Sequence, residues 1–405
     1  MSGDLLQPRY PPLSPAEGGI TDGPLKLPPL VLGAAVFGYD YNTSDTIESD
    51  VPEQSIRLAL RYGMNTFDTS PYYSTSERVL GEVFDKIRDE FPRESYQIIT
   101  KIGRYGRTKD DFDYSAARVR ASVENSCKLM RTDYLDGVYA HDAEFVSEQI
   151  GGAGEEGWTV DDNGKIRPED LVRWGLEPKD AGTIRGPGDK KILEAFSELF
   201  KLKKEGKIGA VGFSGYPLPT MLRLARLIAH HLEPLDIMQS YCHHTLQNLT
   251  LREFYPLFVE AGVKQILVAS PLSMAVLRGA PPPPWHPISP ACRTATAEAV
   301  ELCAAKGQKL VDVALGYGFS SVKPREATAG RDTPTVVGLS TPDEVHEAMK
   351  VYHGIYGQAG GSRAGRYPGE GLAGEQFKTQ LELEKAVVDS FKKHKGLNWT
   401  WAVGV

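Results

Sequence analysis

"NTFDTSPYYSTSERVLGEVFDKIRDEF", residues 65–91, is the stretch whose reading decides the fold. It begins as a strand, "NTFDT" (65–69), crosses a short polar loop and enters a helical pattern, "SERVLGEVFDKIRDEF" (76–91). The loop follows a carboxylate, Asp68, and carries two adjacent phenols, Tyr72 and Tyr73.

The same strand–helix unit recurs along the chain. Apolar, β-branched runs stand at "LVLGAAV" (30–36), "YQIITK" (96–101), "YLDGVYAH" (134–141) and "IGAVGFS" (208–214). They continue with "DIMQSY" (236–241), "QILVAS" (265–270) and "PTVVGL" (334–339). Each is followed by a helical pattern, the first being "PEQSIRLALRYG" with Pro52 at its start and Gly63 at its end. The seventh helix is read at "ATAEAVELCAAKG" (295–307). Strands that alternate with helices pair in parallel, and strands covered on both faces read as continuous apolar runs. Eight such units predict a (β/α)8 TIM barrel, an α/β fold.

A plain barrel needs about 250 residues, and this chain has 405. The surplus is placed at 1–29, an irregular lead-in, at insertion 143–190, at 277–292, and at 354–405, a C-terminal extension packing on the barrel. The barrel proper is 30–353. Both internal inserts follow strands, on the C-terminal face where barrel enzymes place their sites, and are read as a substrate lid.

Composition excludes other classes. The chain is 41% hydrophobic and 24% charged with net charge −7. That acidic balance argues against a nucleic-acid-binding surface. No run approaches the roughly 18 apolar residues of a membrane span. The opening "MSGDLLQPRYPPLSPAEGG" lacks a basic segment followed by an apolar one, so no secretory signal is expected. The four cysteines, Cys127, Cys242, Cys292 and Cys303, form no CxxC and suit reduced thiols. A cytoplasmic protein, monomeric or weakly homodimeric, is expected. The pairs His230-His231 and His243-His244 have no carboxylate at ligand spacing, so no metal site is expected.

Asp68, Lys101 and His141 end the second, third and fourth strands, and Tyr73 follows the second. All four converge on one rim of the barrel. A free phenol titrates near pH 10. A nearby ammonium favours the phenolate, so Lys101 is expected to lower the Tyr73 pKa, with Asp68 pairing Lys101. His141 can donate to a substrate oxygen, and the phenol can give or take its proton.

The segments "GMNTFDTSPYY", "IITKIG", "VYAHD", "EGKIGAVGFSG", "IMQSYC", "LVASPLS" and "VVGLSTPDEVHEAM" resemble those of the aldo-keto reductases, in order, over residues 30 to 352. "LVASPLSMAVLRGAPPPPWHPISPA" is similar to the sugar-oxidising branch, the L-galactose and D-arabinose dehydrogenases. The resemblance implies an Asp–Tyr–Lys–His tetrad of Asp68, Tyr73, Lys101 and His141. It implies that Ser214 and Gln239 hold the nicotinamide carboxamide, with Gly215 standing where an Asn is usual. One carboxamide contact is then missing or replaced by backbone. It places Ala269 where the family often stacks an aromatic ring on the nicotinamide, and Ser270 and Leu272 at the pyrophosphate. Gly338 and Glu344 stand at the usual Lys and Arg that grip a 2′-phosphate, and Glu347 at the adenine contact. A carboxylate at 344 repels that phosphate. The implied cofactor is therefore NAD, with NADP as the alternative.

Tyr72 and Trp285 are read as walls of a sugar pocket. Ser74 stands where the family has glycine, so the turn after Tyr73 is expected to take a different path. The implied activity is oxidation of a free aldose, D-arabinose foremost, at its anomeric carbon. The alternatives are an NADPH-dependent reductase of aldehydes or ketones, or a regulatory barrel that only binds the nucleotide.

Overall fold

The computed structural model describes residues 5–13, 23–151, 160, 165–322, 333–356 and 375–401. Eight parallel strands close into a barrel in chain order: β1 (Leu30–Gly33), β2 (Thr66–Asp68), β3 (Gln97–Ile102), β4 (Leu135–His141), β5 (Ile208–Gly215), β6 (Ile237–Tyr241), β7 (Gln265–Ala269) and β8 (Thr335–Gly338). β1 closes on β8 with Gly33 opposite Gly338.

Side chains alternate along a strand, and the alternation sorts this barrel into layers. Val31, Ile99, Tyr139, Ala210, Ile237, Leu267 and Val336 form one buried interior cluster. Leu25 and Leu27 of the lead-in close its floor, where the Gln265 side chain bonds both backbone groups of Leu25. Two residues further along the strands stand Lys101, His141 and Gln239, and Ser214 lies four beyond Ala210. The polar layer therefore lies one pleat above an apolar plug. The residues of opposite parity face the helices. Phe67 is an example, buried edge-on against Phe84 and Tyr96.

The helices are α1 (Ser44–Ile47), α2 (Val51–Arg61), α3 (Ser76–Ile87), α4 (Ala116–Leu129), α5 (Pro168–Arg173), α6 (Pro187–Lys204), α7 (Leu218–His231), α8 (Leu251–Glu260), α9 (Pro290–Ala304), α10 (Leu310–Gly318), α11 (Pro342–Tyr356) and α12 (Glu375–Lys393). α2 starts with Pro52 in its first turn and stops before Gly63 at φ +79°. None of the described helices is long and apolar enough to cross a membrane.

Two features depart from the simple eightfold reading. Two helices follow β7. The expected one, α9, buries Cys292, Ala295, Ala299 and Cys303 against Leu383, Val387 and Phe391 of α12, in a core separate from the barrel's. The unexpected one, α10, sends Leu315, followed by Phe319, into the main core. In the insertion after β4, residues 165–186 pack outward. Trp174 lies beside Phe254 of α8, and α7 is tied on by Arg226 Nη1 to Leu176 O and His231 Nε2 to Gly182 O. Residues 152–159 and 161–164, part of the expected lid, lie outside the described residues.

Candidate active site

The tyrosine loop is held by bonds within itself and by bonds to the segment that follows β1. Ser76, opening α3, bonds Thr69 Oγ1 and donates to Ala34 O. Tyr73 N–H donates to Ser70 O, and Ser76 N–H returns to Tyr73 O. Ser74 holds the left-handed conformation itself, at φ +47°. Such a conformation costs a non-glycine residue of order 1 kcal/mol. Ser74 Oγ offsets that cost by accepting from Tyr39 N–H. Gly38 must lack a side chain here, since a Cβ would lie 2.6 Å from Tyr73 O.

The tetrad residues come together. Lys101 Nζ lies 2.6 Å from Asp68 Oδ1 and donates to Thr69 O at 2.9 Å, with both charged side chains buried. It also sits 4.8 Å from the Tyr73 ring centroid. The His141 ring meets Tyr72 and Tyr73 edge-on, each with centroids 5.7 Å apart. Ser70 Oγ accepts from Tyr72 N–H and bonds His141 Nδ1 at 3.1 Å. If the serine gives its proton to Nδ1, His141 carries its own on Nε2, the nitrogen turned toward Asp142 at 3.6 Å. Burial, then the charges of Lys101 and Arg104, hold His141 well below its ordinary range, so the ring is neutral.

Tyr73 departs from the sequence reading. Its phenol is pushed well above its ordinary range, first by burial and then by the charges of Asp68 and Asp142. Arg104 is the cation that opposes this shift. The Lys101 ammonium is already neutralised by Asp68 and lies under the ring face. In this arrangement Tyr73 holds its proton.

The residues implied for the carboxamide join the same network. Ser214 Oγ donates to Gln239 Oε1 at 3.0 Å, and Gln239 Nε2 donates to Asp68 Oδ2 at 2.8 Å. The loop after β7 is contorted, with Ser270, Ser273, Met274 and Ala275 all at positive φ. Strain of this kind clusters at ligand clamps. Leu272 is half-buried against the core. Gly338 ends β8 with Val36 Cγ1 2.7 Å from where a Cβ would stand. Glu344, in the first turn of α11, accepts Ser340 N–H at 2.6 Å. Glu347 pairs with Lys350 on the surface. These residues fit a dinucleotide laid from the tetrad across the β7 loop to α11: amide and hydroxyl groups at one end, a left-handed backbone turn in the middle, and a helix N-terminus at the other.

Three groups at the mouth escaped the sequence reading. Arg104, three residues after Lys101, stacks its guanidinium 3.9 Å over Tyr72 and is ion-paired with Asp142. Asp142 itself stands at φ +53°, next to His141. The chain end returns to the mouth as well. Asn398 N–H donates to Gln247 O and Asn398 Oδ1 accepts Leu249 N–H, while Gln247 Nε2 donates to Gly396 O and Trp399 O, which ties residues 396–401 to the loop after β6. There Trp401 stacks on Tyr216 at 3.8 Å, 16° from parallel, with His286 edge-on at 5.8 Å. Trp285 is 41% exposed and meets Tyr41 edge-on. Ala269 offers no ring, and the aromatic face near the ends of β5 and β6 is buried Tyr216 with half-buried Trp401 and Tyr241.

The sequence pattern described as the Aldo/keto reductase family matches residues 29–354. The chain is similar to a D-arabinose 1-dehydrogenase of Saccharomyces cerevisiae, 32% identical over 381 residues, covering 93% of this chain and 94% of that protein. It is similar to an L-galactose dehydrogenase of Arabidopsis thaliana, 31% identical over 327 residues, covering 80% and 83%. Among solved structures, a glycerol dehydrogenase from Gluconobacter oxydans shares the fold, with TM-score 0.56 at 19% identity over 94% of this chain and 96% of that one.

Proposed function

Because this chain belongs to the aldo/keto reductase family, we propose that it is an NAD-preferring dehydrogenase oxidising the anomeric carbon of a free aldose to its lactone. D-arabinose is the first substrate of choice, then L-galactose or L-fucose. The observation that carries the reading is the polar layer itself. Asp68, Lys101 and His141 project from successive strands onto Tyr73, one pleat above a sealed apolar plug. The two sugar-dehydrogenase relatives supply the substrate class.

When bound, the nicotinamide accepts the hydride leaving C1. The protein's residues handle the proton and the geometry. Neutral His141 donates to the anomeric oxygen and orients it. Tyr73 first releases its own phenolic proton to solvent, and the phenolate then takes the hydroxyl proton as the C1–O bond becomes a carbonyl. Lys101, held by Asp68, fixes the ring from below. Ser214 and Gln239 hold the carboxamide, Ser270 and Leu272 the pyrophosphate, and Glu347 the adenine. Tyr72, clamped under Arg104, and Trp285 line the sugar pocket. NAD is preferred because Gly338 brings no cation and Glu344 places a carboxylate where a 2′-phosphate would need a positive charge.

A second reading has its own observation. A phenol held protonated is poised to give a proton, which suits reduction of an aldehyde or ketone. One assay matrix separates the two: NAD and NADP, oxidised and reduced, against a panel of aldoses and simple carbonyls. Wild type, Tyr73→Phe and Tyr72→Phe are compared. Tyr73→Phe is expected to lose about 10²- to 10⁴-fold in kcat, and Tyr72→Phe less than about tenfold. Near-normal turnover by Tyr73→Phe defeats the assignment. A kcat/KM favouring NADP defeats the cofactor preference. Turnover of any aldose rules out a purely regulatory barrel.

A further inference from the structure

β5 ends in Ser214-Gly215, and the space beside Gly215 is occupied. A Cβ built there would meet Glu144 Oε2 at 2.6 Å, closer than real contacts allow. Glu144 comes from the turn after β4, three residues beyond His141. It is 1% exposed, and its Oε1 accepts Tyr216 N–H at 2.8 Å. Positions 144 and 215 therefore compete for one volume, which goes either to a side chain on β5 or to the carboxyl from the β4 turn. That volume adjoins Ser214, whose hydroxyl begins the chain of bonds through Gln239 to Asp68.

We propose that Glu144, reaching across Gly215, is the third hydrogen-bonding group on the nicotinamide carboxamide, alongside Ser214 and Gln239. The proposal rests on the reading that this barrel mouth takes a nicotinamide cofactor. The chemistry is that of an acid standing in for an amide. A protonated carboxyl offers one carbonyl acceptor and one O–H donor on a planar group, which matches the two faces of a primary carboxamide. Burial, and secondarily the charge of Asp142, push Glu144 up to about 8, so it is mainly the neutral acid at pH 7. Arg104 is the cation facing this pair, and Tyr114 and Tyr241 are the phenols around it.

The test compares NAD with ADP-ribose, which lacks the nicotinamide, by calorimetric titration of the full chain at pH 7. Glu144→Ala is expected to weaken NAD about tenfold while leaving ADP-ribose within about twofold, the loss of one hydrogen bond to a buried group. Glu144→Gln keeps donor and acceptor and stays within about threefold for NAD. Gly215→Asn alone weakens NAD, because its side chain meets the Glu144 carboxyl. Glu144→Ala combined with Gly215→Asn restores most of the affinity, because the amide now arrives from β5. If Glu144→Ala changes both ligands equally, or neither, the proposal is overturned and Glu144 is a packing residue. If wild type binds neither NAD nor NADP, the cofactor reading itself fails, an outcome distinct from any behaviour of the variants.

Discussion

Asp68→Asn probes the buried ion pair on which the tetrad is built. Lys101 Nζ lies 2.6 Å from Asp68 Oδ1, with the two side chains 1% and 4% exposed. At an effective dielectric constant near 20, attraction at that distance is about 6 kcal/mol. The substitution removes it and leaves the ammonium with Thr69 O alone. It also leaves one side-chain oxygen for two donors, since Gln239 Nε2 uses Asp68 Oδ2. Breaking one side of a buried pair costs about 3–5 kcal/mol. Asp68→Asn combined with Lys101→Met removes the stranded charge and gives the remaining oxygen to Gln239. That double variant is expected within about 2 kcal/mol of wild type, since neutral replacement of a buried pair is often tolerated. Urea unfolding of the cofactor-free chain measures both. Aldose turnover on the same samples stays lost in both, because stability returns without the cation. A single variant within about 1 kcal/mol of wild type would refute the reasoning. So would a double variant no more stable than the single.

Two further outcomes follow from the mouth. Glu144 is raised from 4.5 to about 8 in the folded chain. Its contribution to stability is therefore fully present below the unfolded value and is lost as pH climbs toward 8, by at most roughly 5 kcal/mol. Relative to Glu144→Gln, wild type should lose stability between pH 5 and 8.5 in urea titrations, and a flat difference would count against the burial argument. Trp401→Ala should raise the aldose KM about two- to tenfold with little change in kcat, the worth of one aromatic stacking partner. The more exposed Trp285→Ala should do less. Equal effects would remove the chain end from the pocket.

Much of this molecule is legible in its sequence because both of its periodicities are local. Each of the eight apolar runs at 30–36 through 334–339 overlaps an observed strand, with β3 and β5 running one residue further, to Ile102 and Gly215. Once they are parallel, alternation alone puts Lys101 two residues above Ile99, and His141 two above Tyr139, on the same interior face. The second helix after β7 is obscured because "LVDVALGYG" is apolar nearly all round, so its period carries little contrast. "ATAEAVELCA" has no stronger period, and the small residues it buries serve α12 rather than the barrel. Local pattern tells that a face is buried and does not tell against what.

The site divides along the same line. The family resemblance points to Tyr73 rather than Tyr72, by its place five residues after Asp68, and the loop that carries both is held by local bonds together with bonds to residues 34–39. The direction of the Tyr73 shift is not legible in the same way, because its sign depends on net field. The Lys101 charge is cancelled at 2.6 Å, whereas Asp142, unseen in the sequence as a neighbour, adds to Asp68. Gly215, read along the chain alone, is simply a position with no amide to offer. What fills its space comes from 71 residues earlier in the chain, and no window of sequence joins Glu144 to Gly215. An absent side chain at a strand end, paired with an unexplained acid in the turn beside it, is nevertheless a signal of its own. In a close-packed barrel mouth a missing volume must be supplied by a neighbouring strand's loop, and a charged residue placed there without a cation of its own must become neutral or find a ligand.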